Sequence, residues 1–525
     1  MSGDCLETRL QGSAYSKPMP CGLNICPACL ILDEVNQEIR QTESRLADLY
    51  NCRAKAASTF NQAHPSIVDR MPPEIVSRIF EHYTRSNLSA PSPNPLTLGA
   101  VCQAWRRIAW TTRRLWTTLH VRVDGCITNT KAEVAKDWLE RSGSLPLSIE
   151  FEDRAKLPWE NSPPKIIDFR YALQSLIHFV NQHSSRWEEL HLSLAPSVMK
   201  FFDDTKRGPL FLRRVNLTIP KHRQEDPIDE EMHFTVGAPD NIVVDNLLVD
   251  NLTLPWETVT KLHVNAVSTE EMVDFLRMSP SLEKVVFRTA VLGFVPETIG
   301  LKHLKDLHIQ FPVGNQASVI DILDAMHFPV LSYLSLEMSG EPLPEATVAS
   351  FIRRSSCVLT ECSFEDCTVT SEGLLEILRL TPALSSLRLS TSVTQTPLST
   401  FFKALGEQEE HSCLSLSVQD DRIKPILPLL EIFSYHGSYS FPWGEFLSIF
   451  TFPNENKSVH TRPLKYIEVI CEPDSIEDQE HPPSIEQDVL RKLLALLVGI
   501  DYYFEGISED GPFDLVAASL EKTEH

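Results

Sequence analysis

Apolar positions change their spacing three times along the chain. Between residues 32 and 60, Leu32, Val35, Ile39, Thr42, Leu46, Leu49, Arg53, Ala56 and Phe60 fall on alternating steps of three and four. That is an a/d seam with Thr42 and Arg53 as its flaws, and it predicts a single helix. The helix should stop before His64-Pro65, since a residue preceding proline avoids helical dihedrals. The seam fits either self-association through residues 32–60 or packing back on the same chain. From 71 to 116, Pro72 and Pro73 open a short helix, because a first-turn proline gives up no hydrogen bond. Ile75, Val76, Ile79, Phe80 and Tyr83 recur at helical spacing, and Leu98, Val101, Cys102, Trp105 and Ile108 do so again. Leu115 and Trp116 close this unit, which is too small to bury much surface alone.

Beyond residue 186 the period shortens to that of strands. A core of the form apolar-x-x-apolar-x-apolar appears at Trp187-Leu190-Leu192 and recurs as far as Leu464-Ile467-Val469. Most steps are 22 to 28 residues; steps of 47 (Leu212 to Val259) and 46 (Leu384 to Leu430) each suggest one hidden unit. Candidates are the stretches around Ile242 to Val249 and Leu414 to Val418. Helical patterns lie between several cores, as in EEMVDFLRMSP, ASVIDILDAMHFP, EATVASFIRRSS, SEGLLEILRLTP and PLSTFFKALGE. Several end at Ser-Pro, Phe-Pro or Thr-Pro, a helix-stop signal.

The expected fold is therefore α plus α/β. A cysteine-bearing tail (1–31) precedes an amphipathic helix (32–63), a small all-helical module (64–118), a run of strand–helix units (119–470) and an acidic C-terminal segment with a terminal cap helix (471–525). Strand–helix alternation alone also fits an open α/β sheet. The repeated register favours a solenoid, in which each unit buries its apolar face only against its neighbours.

Charge narrows the partners. A net charge of −23 opposes nucleic-acid or anionic-membrane binding, which needs clustered Lys and Arg. From Met71 to Gly125, however, seven Arg face three acids, and from Cys471 onward fourteen acids face three bases. The arginines suit an acidic partner face or simple solvation; the acidic end reads as a solvated, partly disordered segment. MSGDCLETRL carries acids and no apolar stretch, so no secretion signal is expected and the chain is expected in cytosol or nucleus.

Candidate chemistry is sparse. Cys21, Cys26 and Cys29 have C-x4-C-x2-C spacing, with Cys5 or Cys52 as a fourth ligand, but no second C-x-x-C or His pair follows. A metal-binding tail is the alternative to plain thiols. No GxxxxGK[ST], HExxH or GxSxG motif is present. Asp203-Asp204 and Asp420-Asp421 lack ligand partners. No catalytic residue, cofactor or resident metal is expected, and the chain is read as non-enzymatic.

Residues 71–116 resemble the F-box. Met71-Pro72-Pro73-Glu74-Ile75, Ile79-Phe80, Val101-Cys102-Gln103-Ala104-Trp105-Arg106 and Leu115-Trp116 follow that family's order, with Met71 where leucine is usual. The long Pro-rich gap from Asn87 to Pro95 is similar to that in large fungal families of F-box proteins. The resemblance implies docking on a Skp-type adaptor, and through it on a cullin–RING ubiquitin ligase, by Pro72, Pro73, Glu74, Ile75, Ile79, Phe80, Val101, Cys102, Trp105, Leu115 and Trp116. Leu359-x-x-Cys362-x-Phe364-x-x-Cys367 resembles the cysteine-containing leucine-rich repeat of such proteins. Alternating strand positions would then present Glu189, Lys261, His263, Lys284, Asp306, His308, Tyr333, Glu361 and Arg388 on a concave face to a target protein. His191 should share that face. A non-ligase scaffold is the alternative reading.

Overall fold

The computed structural model describes residues 27–63, 71–85, 94–123, 129–153, 165–202, 212–221, 234–235, 238–247, 252–291, 298–314, 316–391, 398–406, 425–453, 459–473, 483–508 and 511–521. Cys5, Cys21 and Cys26, both Asp-Asp pairs and the Leu414 stretch lie outside them, as does the side chain of Cys29. Two compact units divide between Leu115 and Trp116.

The first unit is helical. Helix α1 (Pro27–Ala63) covers the whole a/d seam and starts a turn before it. Helix α2 (Pro73–Arg85) begins on Pro73 with Glu74 in its first turn, where a carboxylate meets the positive end of the helix dipole. Helix α3 (Pro95–Val101) is capped by Asn94, whose side chain accepts the Thr97 N–H at 3.1 Å. Helix α4 (Gln103–Thr111) follows at once, with the Cys102 sulfur accepting the Trp105 N–H at 3.5 Å. Gly99 permits the close approach of these two helices: a Cβ there would sit 1.9 Å from the Trp110 ring.

Among the described residues the second unit is built on a fifteen-stranded sheet with its strands side by side in chain order, beside three two-stranded pairs. They are β1 (Thr118–Val123), β2 (Leu147–Asp153), β3 (Trp187–Ser193), β4 (Arg214–Thr218) and β5 (Asn241–Asp245). Next come β6 (Lys261–Ser268), β7 (Lys284–Val291), β8 (Asp306–Gln310), β9 (Tyr333–Glu337) and β10 (Glu361–Glu365). The set ends with β11 (Ser386–Ser390), β12 (Ile432–Ser438), β13 (Tyr466–Glu472), β14 (Asp501–Ser508) and β15 (Gly511–Asp514). Every neighbouring pair is parallel except the last, which is an antiparallel hairpin. The five segments read as helical form helices, including Thr269–Met278 with a Ser268/Glu271 capping box and Ser371–Arg379 capped by Thr370. One continuous apolar core, from Leu119 to Val516, joins the inward strand positions to these helices.

Two expectations are corrected. The 47-residue step does hide a strand, β5, but the 46-residue step adds none to the sheet, since β11 pairs directly with β12 from Ser386–Ile432 onward. The sheet also continues past residue 470. Strand β14 pairs with β13, and Leu490 and Leu493 of the helix Gln487–Leu496 are buried, so much of the acidic C-terminal segment is structured. Trp116 meets Trp138 edge-on at 4.9 Å, under the Arg141 guanidinium.

Cys362, in β10, and Cys367, just after it, lie inside the core, with Cys357 also buried. Burial pushes all three thiols up, Cys367 to about 12. Because the thiolate is the nucleophile, these cysteines should alkylate at least about a hundredfold more slowly than exposed Cys52 until the chain unfolds. Peptide mapping after a timed maleimide pulse reads the difference; comparable native labelling of Cys362 and Cys52 would refute the packing.

Candidate functional site

Two surfaces stand out, one on each unit. On α2, successive residues lie 100° apart, so Val76 and Phe80 define one face while Ile75, Ile79 and Tyr83 define the next. The inner face is fixed by packing and polar ties. Phe80 tilts against Trp105 with ring centres 4.9 Å apart, the Ser77 and Thr112 hydroxyls meet at 2.9 Å, and Glu81 pairs with Arg114 at 3.7 Å. The Arg106 guanidinium donates to the Gly99 carbonyl at 2.8 Å, pinning α4 to α3. With that face occupied, Ile75 and Ile79 are 48 % exposed and Tyr83 45 %. The helix thus carries an apolar stripe of one residue per turn on its outer side.

The eleven residues implied for adaptor docking therefore separate. Pro72, Pro73, Glu74, Ile75, Ile79 and Val101 are exposed, while Cys102 and Trp105 are partly covered. Phe80, Leu115 and Trp116 are interior. These last three cannot touch a partner without unpacking; Phe80 and Leu115 help hold the fold that presents the others. Tyr83 extends the stripe and was legible from its i, i+4, i+8 spacing with Ile75 and Ile79.

On the sheet unit, parallel register lines up the outward strand positions into rows. One row runs Glu189, Arg214, Asn241, Lys261, Lys284, Asp306, Tyr333, Glu361. Two residues on, a second row passes through His191, His263, His308, Ser335, Ser363 and Arg388. All nine residues expected on the target-facing side thus share one face in two adjacent rows, and His191 joins them.

That face is cross-linked by polar contacts. Glu189 takes an ion pair from Arg214 at 3.3 Å and a hydrogen bond from Ser148 at 3.1 Å, and Lys284 pairs with Asp306 at 3.4 Å. His263 Nε2 lies 2.9 Å from Asn265 Oδ1, and His308 Nδ1 2.7 Å from the Ser335 hydroxyl. Burial lowers the pKa of both imidazoles, keeping them neutral near pH 7. A third row, Asp245, Asn265, Arg288, Gln310, Glu337 and Glu365, lies two residues further along. Desolvation raises the carboxyl pKa of Asp245 and of Glu337, the latter helped by Glu365 and Asp366, while Arg288 opposes both shifts. Arg288 was missed from the sequence, although the same alternation carried two residues past His263 and Val286 reaches its row. Among the described residues no group of three His, Cys, Asp or Glu is placed to hold a metal.

A helical module with an exposed apolar stripe, in one chain with a long polar-faced sheet, is an arrangement for binding proteins. Residues 68–122 match the F-box-like family model, so the chain carries an F-box-like domain there. Domains of this kind typically bind Skp-type adaptors, which points to a protein-interaction role. No curated protein matches the chain's sequence.

Proposed function

We propose that this chain is the substrate-recognition adaptor of a Skp–cullin–F-box type ubiquitin ligase, working in cytosol or nucleus. The F-box-like domain docks on a Skp-type adaptor through Ile75, Ile79 and Tyr83. The strand-ordered sheet is an irregular leucine-rich-repeat solenoid whose polar rows hold a target protein. No residue of the chain performs chemistry; holding the target near a charged ubiquitin-conjugating enzyme raises the effective concentration of its lysines. The observation that carries this reading is the exposed Ile75–Ile79–Tyr83 stripe on a segment that matches the F-box-like family. Self-association through residues 32–60 belongs to the same reading, because Leu32, Val35, Ile39, Leu46 and Leu49 of the α1 seam are exposed.

Co-purification from cells is the direct test. Recovery of a Skp-type adaptor together with a cullin supports the ligase. The adaptor without a cullin would indicate a non-ligase scaffold, and recovery of neither would refute the docking role.

A further inference from the structure

Helix α1 spans 37 residues, and every described side chain from Leu30 to Phe60 is exposed apart from the partly covered Asn36. Leu46 is 51 % and Leu49 59 % exposed. A helix with its apolar seam in water has little beyond local propensity to hold it, so the seam calls for a covering surface. Size and charge along the seam identify what that surface is.

In a parallel pair in register, a positions meet a positions and g positions meet the e positions five residues on. Arg53 would then face Arg53 of the second copy inside the seam, and Glu38 would face Glu43 on both flanks. Three like-charge contacts over so short a seam oppose that arrangement. In an antiparallel pair each a position meets a d position, and the register is free to slide by heptads. Centring the pair between Leu46 and Leu49 sets Leu46 on Leu49, Ile39 on Ala56 and Thr42 on Arg53, each layer occurring twice by symmetry. The two polar flaws then meet each other, and every bulky aliphatic meets an apolar partner. Glu38 and Glu43 of the second copy come within one turn of Arg53. Sliding one heptad either way sets Arg53 against Val35 or Leu49, burying a cation against hydrocarbon.

We infer that the chain forms an antiparallel homodimer through α1, in the register that pairs Leu46 with Leu49 and Thr42 with Arg53 of the second copy. The inference rests on the self-association reading above and adds its orientation and contacts. An antiparallel pair sends the segments that follow α1 off from opposite ends, so two target-binding chains enter one assembly with divergent exits.

Sedimentation equilibrium of the full chain tests both levels. The wild type should be a dimer in the low micromolar range. Leu46→Lys with Leu49→Lys should give a monomer whose remaining thermal transition is unchanged. Thr42→Glu, which places a carboxylate opposite Arg53, should tighten the dimer about fivefold, and Arg53→Glu should loosen it at least about tenfold. A parallel pair responds in reverse: Thr42→Glu loosens it and Arg53→Leu tightens it. A wild type that is monomeric throughout overturns self-association and register together. A dimer that Thr42→Glu loosens overturns the antiparallel register alone, and one that survives the double lysine variant overturns α1 as the interface.

Discussion

Replacing Ile75 and Ile79 together by aspartate should abolish capture of a Skp-type adaptor while leaving the chain folded. Each isoleucine is about half exposed in the free chain, so its substitution opens no cavity and should shift stability by about 0.5 kcal/mol or less. Docking would bury both side chains. Full burial of an exposed aliphatic side chain yields about 1.5–3 kcal/mol; with half of each already covered, the pair supplies roughly 1.5–3 kcal/mol, and each carboxylate adds an uncompensated desolvation cost of about 1–3 kcal/mol. At 1.4 kcal/mol per decade, affinity should fall at least about a hundredfold. The contrast with the neighbouring face makes the result diagnostic. Phe80→Ala, one residue on, removes a ring packed on Trp105 and should cost about 3–5 kcal/mol of stability, so it loses binding only by unfolding the module. Titration calorimetry with purified adaptor, beside circular dichroism of each variant, separates the cases. Undiminished binding by the folded double aspartate variant would remove the stripe from the interface.

The two faces of α2 illustrate what a sequence conceals. Five apolar residues at helical spacing announce an amphipathic helix, but Ile75/Ile79 and Val76/Phe80 are equally apolar and only 100° apart. Which pair turns inward is decided by Trp105 and by the Ser77–Thr112 contact, both from distant positions in the chain. The sheet was far more legible, because period-two alternation places a residue on a face whatever its tertiary surroundings. All nine polar positions expected to share a surface do so for that reason. Strands drop out of the repeated pattern where its leading apolar position is altered, and β5 was reached only through the length of the step that hides it. Pro239 precedes the β5 pair Ile242 and Val244, and Gly499, with φ of +84°, precedes Tyr502 and Phe504 of β14. Trp116, Leu119 and Val121 form one further copy of the pattern at β1.

The largest stability effect should come from Arg462, which no periodicity could nominate. It is 5 % exposed, and among the described residues no carboxylate lies within ion-pair distance. Its guanidinium instead donates to six backbone carbonyls: Leu405 (3.0 Å), Ile426 (2.9 Å), Leu427 (3.0 Å), Ser448 (3.0 Å), Ile449 (3.0 Å) and Thr451. Three segments of the chain, two between β11 and β12 and one after β12, converge on this one cation. Burial lowers its pKa to about 10, which still leaves it charged at neutral pH. A planar fork can serve carbonyls on several sides at once; an ammonium on a flexible stem cannot. Arg462→Met should therefore strand buried acceptors and cost about 3–5 kcal/mol, with Arg462→Lys recovering only part of that. Stacked strands interact chiefly with their neighbours, so the loss should be local. Hydrogen exchange should speed up between residues 398 and 472 while β6 to β9 keep their protection. A melting curve for Arg462→Met that overlays the wild type would show that these carbonyls are satisfied without the guanidinium, and the convergence of the three segments would then need another cause.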